Sequence, residues 1–241
     1  MRKWSGVALV TVALVITVLA VNTVRLRSRQ VNVAPNAEVP PPQAAAALRL
    51  AQAVRFRTIS AQQPSSFAGA EFDHFRAFLA ARYPRLGRVL RKRLINDYSL
   101  LYEWPGTDAS LKPVLLMAHQ DVVPVDPASA DQWLQAPFGG VISGGFIWGR
   151  GTLDDKGALM ALHEATETLL AQGFQPARTV YFAFGHDEEV GGRQGSLKIA
   201  EWLASQGVRL ESVLDEGQVV TEGIVAGISK PVALIGIAEK G

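Results

Sequence analysis

Four short strings concentrate imidazole and carboxylate groups in this 241-residue chain: His119-Gln120-Asp121, Asp154-Asp155-Lys156, His186-Asp187-Glu188-Glu189 and Asp215-Glu216-Gly217. Each alone is ordinary. A histidine at a strand end is commonly a satisfied core or surface residue, Asp-Asp before a helix is commonly an N-cap, and Glu-Glu is commonly a solvated face. Together they carry more weight, because all four fall at what reads as one edge of a parallel α/β sheet, beyond the carboxyl ends of strands. So many carboxylates at one edge repel each other unless a cation compensates. The chain has no cysteine, which excludes disulfides, thiolate metal sites and a cysteine nucleophile. Imidazole plus carboxylate suits zinc or another divalent transition metal, and the number of carboxylates suits two ions better than one.

The elements that must position these residues follow from pattern. Residues 44–57 (AAAALRLAQAVRFR) contain good helix formers, with Leu48, Ala51 and Val54 on a plausible face. A second helix is expected over 71–82, with Phe72, Phe75, Phe78 and Leu79 as core. LLYEW (100–104) and VLLMAH (114–119) read as strands separated by the turn Pro105-Gly106-Thr107-Asp108. A Gly-rich stretch (139–151) leads into a helix over 156–172. A strand (179–185), a helix (195–205), a strand (212–217) and two further strands complete the chain. Strands alternating with helices predict an α/β domain with a largely parallel sheet.

Composition narrows the class. With 48% hydrophobic and 19% charged residues the chain is globular. Its net charge of +2 hides an asymmetry. Of 24 basic residues, five (Arg2, Lys3, Arg25, Arg27, Arg29) fall in residues 1–30 without an acid, so 19 face 22 acids over the rest, a net of −3. The basic character belongs to the N-terminus, and nucleic acid is excluded as a partner. Trp4 to Val24 is a 21-residue run without charge, about 31 Å long as a helix and apolar on all sides. It predicts a single membrane anchor over 1–29 that holds the rest of the chain outside the cytoplasm. Val18-Leu19-Ala20 leaves open a cleaved signal, and then a secreted protein. Residues 30–43, with Pro35, Pro40, Pro41 and Pro42, read as an extended linker. Residues 44–241 are then the folded part.

The strings MAHQDVVPV, WGRGTLDDKGALMA, FGHDEEVGG and VLDEG closely resemble the zinc-dependent aminoacylase and carboxypeptidase family of metallopeptidases. The carboxypeptidase S branch, with relatives acting on N-fatty-acyl amino acids, is the nearest in pattern. The resemblance covers residues 44–241 and implies a three-layer α/β catalytic domain of the zinc exopeptidase type. It implies that His119 binds one zinc, Asp154 bridges two, Glu189 binds the second and Glu216 completes the first, with Asp215 as the alternative. Asp121 would orient the His119 ring through its other N–H, and Glu188 would be the general base. A cis peptide is expected at Asp154-Asp155. The activity implied is hydrolysis of an amide bond in N-acyl amino acids or small peptides by a di-zinc-activated water.

In that family a lid domain follows, which carries dimerisation, substrate selection and a further histidine, and the catalytic domain then supplies a last zinc-binding histidine. No histidine follows His186 in this chain, so the expectation is an N-terminal portion, either a fragment or a truncated gene. The alternative function is a non-catalytic remnant that binds at most one metal or a partner. His74, His163 and His186 read as structural. Gly149-Arg150-Gly151 lacks the ending of a phosphate-binding loop, and Ser143, Ser196 and Ser229 lack a nucleophile-elbow context.

Overall fold

The computed structural model describes residues 2–26, 43–62, 67–217 and 220–233. Most of the linker expected at 30–43, and the end of the last segment, lie outside them. The chain divides into two units, Met1–Pro41 and Pro42–Gly241.

The first unit is one helix, α1 (Arg2–Arg25). Its side chains from Val10 to Leu19 are exposed on every side, and Thr11, Thr17 and Thr23 each donate their hydroxyl to the carbonyl four residues back, at 3.0, 2.8 and 2.8 Å. Among the described residues no helix is long and apolar enough to cross a membrane. The side chains of residues 1–5, 8 and 9 fall outside the described set, so the apolar run behind the membrane expectation is only partly represented there.

The second unit is built on a five-stranded sheet in the order β1-β2-β6-β3-β7. Its strands are β1 (Arg91–Ile95), β2 (Ser99–Trp104), β3 (Val114–His119), β6 (Val180–Gly185) and β7 (Ser212–Leu214). β6, β3 and β7 run parallel, whereas β1, β2 and β6 pair antiparallel. The sheet is therefore mixed, which corrects the largely parallel expectation. The strand that runs against the other four is β2, between β1 and β6. The edge strand β1, RKRLI, has no apolar alternation because four of its five residues face solvent. It turns into β2 through Asn96 and Asp97, both left-handed at φ 46° and 67°, a conformation those two residue types tolerate.

Side chains alternate along the strands and so build two cores. Leu100, Tyr102, Phe182 and Phe184 face one way, against helices α2 (Ala44–Ala53), α3 (Gly69–Arg82), α4 (Pro84–Val89) and α5 (Lys156–Ala171). Leu101, Leu115, Tyr181 and Ala183 face the other way, against Ile199 and Leu203 of α6 (Ser196–Ser205). Helices on both faces give three layers. Phe72, Phe75 and Leu79 are buried as expected, each contributing about 1.5–3 kcal/mol. Of the face expected on α2, Ala51 and Val54 are buried, but Leu48 is 56% exposed, and Leu50 and Ala53 pack on the core in its place. A bidentate Arg49–Glu164 pair, with Tyr83 donating to Glu164 at 2.8 Å, ties α2 to α5.

Two small sheets stand apart from the main one: the hairpin β4 (Val141–Ser143)–β5 (Phe146–Trp148) within the Gly-rich stretch, and β8 (Val220–Thr221) with β9 (Val232–Ala233). The hairpin is fixed to α2 at Gly140. Its φ is +56°, and a Cβ there would overlap the Ala51 carbonyl.

Candidate metal centre

The three parallel strands deliver their chemistry to one edge. β3 ends at His119, β6 at Gly185 just before His186, and β7 at Leu214 just before Asp215. Gln120, fully buried, staples the first two ends together: its amide donates to Tyr98 O at 3.0 Å and Phe184 O at 2.8 Å. After β6 the chain makes one 3-10 turn, Glu188–Val190. The buried Asp187 carboxylate closes the following loop by accepting from the Gln194 and Gly195 N–H groups, both at 2.7 Å. The fourth string precedes α5, and the cis peptide expected at Asp154-Asp155 is present.

His119 sits at the centre, 3% exposed. Its Nε2 lies 2.8 Å from Asp154 Oδ1, 3.6 Å from Glu216 Oε2 and 3.9 Å from Glu188 Oε2. One donor atom from each of His119, Asp154 and Glu216 fits within a 4.8 Å span. Glu189 is outside that trio but feels it: burial, then the Asp154 charge, raises its pKa. Asp215 turns back on its own chain, accepting the Glu216 N–H at 3.0 Å.

Asp121 meets the His119 ring through two groups. The His119 Nδ1 lies 2.9 Å from the Asp121 main-chain oxygen and 3.4 Å from its carboxylate. The carboxylate also accepts from Ser60 Oγ and from the N–H groups of Glu188 and Glu189, both at 3.1 Å.

The electrostatics are those of a crowded anionic site. Burial pulls the His119 pKa down, but the Asp121 hydrogen bond and charge, with Asp155 and Asp154, outweigh it and lift it to about 10. Asp155, whose carboxylate accepts the His119 main-chain N–H at 3.2 Å, is pushed up to about 7, first by burial. Burial, assisted by Asp154 and Glu188, raises Glu216. Three carboxylates (Asp154, Glu188, Glu216) thus face one imidazole within 3.9 Å, with oxygen and nitrogen donors only. That donor set fits a divalent cation such as zinc, which would replace the imidazole proton as the compensating charge.

Residues 115–232 match the model of peptidase family M20/M25/M40. The chain belongs to this family. It is 42% identical over 241 aligned residues to "Probable carboxypeptidase S-like 2" of Dictyostelium discoideum, covering 94% of this chain and 45% of that protein. It is 41% identical over 191 residues to the N-fatty-acyl-amino acid synthase/hydrolase PM20D1 of Xenopus tropicalis, covering 78% of this chain and 36% of that protein. The chain therefore spans less than half the length of these relatives. The fold is similar to that of the M20 family metallo-carboxypeptidase Sso-CP2 from Sulfolobus solfataricus. That similarity has a TM-score of 0.58 at 23% identity, over 74% of this chain and 38% of that one.

The other histidines lie away from this cluster. His74 is exposed beside Glu71. His163 is buried in α5, stacked on Phe184 at 4.9 Å. His186, expected as a plain loop residue, is buried with Nδ1 2.6 Å from Ser99 Oγ, among the rings of Phe67, Phe72 and Tyr98. Two supporting residues escaped the sequence reading. Lys156, named in the sequence only as the end of the Asp154-Asp155-Lys156 string, is fully buried, with Nζ donating to Ala53 O at 3.2 Å and Phe56 O at 2.6 Å over the Phe75 ring. Burial lowers its pKa to about 7. Ser60 carried no signal, because nothing local links it to Asp121.

Proposed function

We propose that this chain is the metal-binding portion of an amide hydrolase that acts on N-acyl amino acids or small peptides. The observation that carries the reading is the convergence of Asp154, Glu216 and Glu188 on the buried His119 imidazole, all within 3.9 Å. His119, Asp154 and Glu216 would hold one zinc ion, and Asp154 and Glu189 a second. Bound zinc supplies Lewis acidity to a carbonyl oxygen and lowers the pKa of water. Glu188, whose side chain is 46% exposed, is open to an incoming water and substrate. It takes the proton of the attacking water and returns it to the leaving nitrogen. One water adds across the C–N bond, giving a carboxylate and an amine. The same residues serve the reverse condensation, in keeping with the synthase/hydrolase name of the PM20D1 relative.

From the 21-residue uncharged run Trp4 to Val24 we further propose that residues 1–29 act as a single membrane anchor that holds the remainder outside the cytoplasm. Its support is the exposed apolar side chains from Val10 to Leu19, together with threonine hydroxyls already satisfied by the helix's own carbonyls. Carbonate extraction and N-terminal sequencing of the native protein separate an anchor from a cleaved signal.

The test of the hydrolase is a panel of N-acyl amino acids and dipeptides offered to the protein at its full natural length. Hydrolysis abolished by a chelator and restored by zinc supports the reading. Hydrolysis indifferent to the chelator overturns it, as does correctly folded, zinc-loaded protein that cleaves none of the panel.

A further inference from the structure

The Asp121 carboxylate is fully buried, and its acceptor positions are all engaged. Oδ1 accepts from the Glu188 N–H at 3.1 Å and faces His119 Nδ1 at 3.4 Å. Oδ2 accepts from the Glu189 N–H at 3.1 Å and from Ser60 Oγ at 2.5 Å. One side chain on the β3 end thus holds the backbone of both glutamates on the β6 end. Among the described residues, the only side-chain donor that fixes this carboxylate from outside the four strings is Ser60, itself 6% exposed.

Ser60 is held in place from two directions. Thr58 Oγ1 donates to Gln120 O at 2.7 Å, Val122 N donates to Thr58 O at 3.0 Å, and Ile59 bridges Val122 in parallel. Residues 58–60 therefore lie as a short extra strand along 120–122. Upstream, the buried Lys156 clamps the Ala53 and Phe56 carbonyls from the first turn of α5. The segment that carries Ser60 is consequently fixed both to the His119 loop and to the helix that follows Asp154.

We propose that Ser60 is a positioning residue for the centre: through Asp121 it sets the direction in which Glu188 and Glu189 leave the β6 end. A carboxylate that keeps all its donors holds one orientation. Without the Ser60 hydroxyl, the Asp121 group is free to rotate toward His119 Nδ1, and the two N–H bonds that align the glutamates weaken. The kcat part of the test rests on the hydrolase reading above, and the metal-affinity part does not.

The experiment compares wild type, Ser60→Ala and Ser60→Thr at full natural length, with zinc affinity measured by competition against a chromophoric chelator. Residues that orient ligands from behind typically contribute about 10–100-fold in affinity or activity. For Ser60→Ala we expect zinc affinity to fall about tenfold and kcat at least as much, with KM within about twofold. Ser60→Thr keeps the donor and should recover both to within about threefold. Wild-type affinity and kcat in folded Ser60→Ala protein would overturn the proposal, and so would a loss that Ser60→Thr does not recover. Should Ser60→Ala fail to fold, Ser60→Cys, nearly isosteric with a weaker donor, is measured against the same criteria. If wild type hydrolyses nothing, the hydrolase reading fails while the affinity comparison still decides the role of Ser60.

Discussion

Zinc binding to the metal-free protein should release protons, in a number that the His119 environment fixes. With its pKa lifted to about 10, the imidazole is almost fully protonated at pH 8, yet only the neutral ring can donate a lone pair to a metal. Each ion bound through Nε2 therefore displaces about one proton there. Asp155, at about 7, is half protonated at pH 7, and a dication beside Asp154 lowers its pKa, so release approaches about one and a half protons at pH 7. Apparent affinity should then rise about tenfold per pH unit between pH 7 and 9. The stability of the metal-free protein runs the other way. The folded His119 pKa is raised above the ordinary value near 6.5. Its contribution is therefore fully present below about pH 6.5 and is lost as pH climbs through about 10. Calorimetric titration of zinc into the apo protein, in two buffers of different ionisation enthalpy, counts the protons directly. Release below about 0.3 proton at pH 8, or an affinity flat in pH, would refute the assignment of His119 as the central ligand.

His163 is buried with Nε2 unpartnered, and burial lowers its pKa to about 4, so the unfolded chain takes up a proton first. Its contribution is lost as pH falls from about 6.5 to 4, about 2 kcal/mol by pH 5. Urea denaturation of His163→Phe should show that much less loss between pH 7 and 5, and an unchanged loss counts against the argument. Gly140 and Gly144 share a left-handed φ, +56° and +62°, but only Gly140 lies against backbone, at Ala51. Denaturation midpoints should show Gly144→Ala costing about 1 kcal/mol and Gly140→Ala more than about 3 kcal/mol. Equal costs would mean the hairpin is not fixed to α2.

How much of this was legible in sequence depended on whether the determining interactions are local. β3, β6, α5 and α6 carry their own pattern, and their bounds in the structure differ from the sequence reading by a residue or so. The four imidazole and carboxylate strings announce themselves by residue type. β1 did not, because an edge strand with Arg91, Lys92 and Arg93 in solvent has no periodicity to read. β2 was legible as a strand but its direction, opposed to the other four, was not. The burial of Lys156 had no local signal, since only the fold brings the Ala53 and Phe56 carbonyls to its ammonium group. The Asp121 carboxylate faces His119 Nδ1 at 3.4 Å, but most of its hydrogen bonds go elsewhere. Its partners at Ser60, Glu188 and Glu189 lie 61 to 68 residues away in the chain, beyond any local pattern.

The central claim, that Glu188 moves the proton at a centre built by His119, Asp154 and Glu216, is tested most directly by Glu188→Gln in the zinc-loaded protein at full natural length. The account predicts unchanged zinc content and kcat for amide hydrolysis lower by about 10²–10⁴-fold. Zinc-loaded Glu188→Gln protein that hydrolyses within tenfold of the wild-type rate would contradict it.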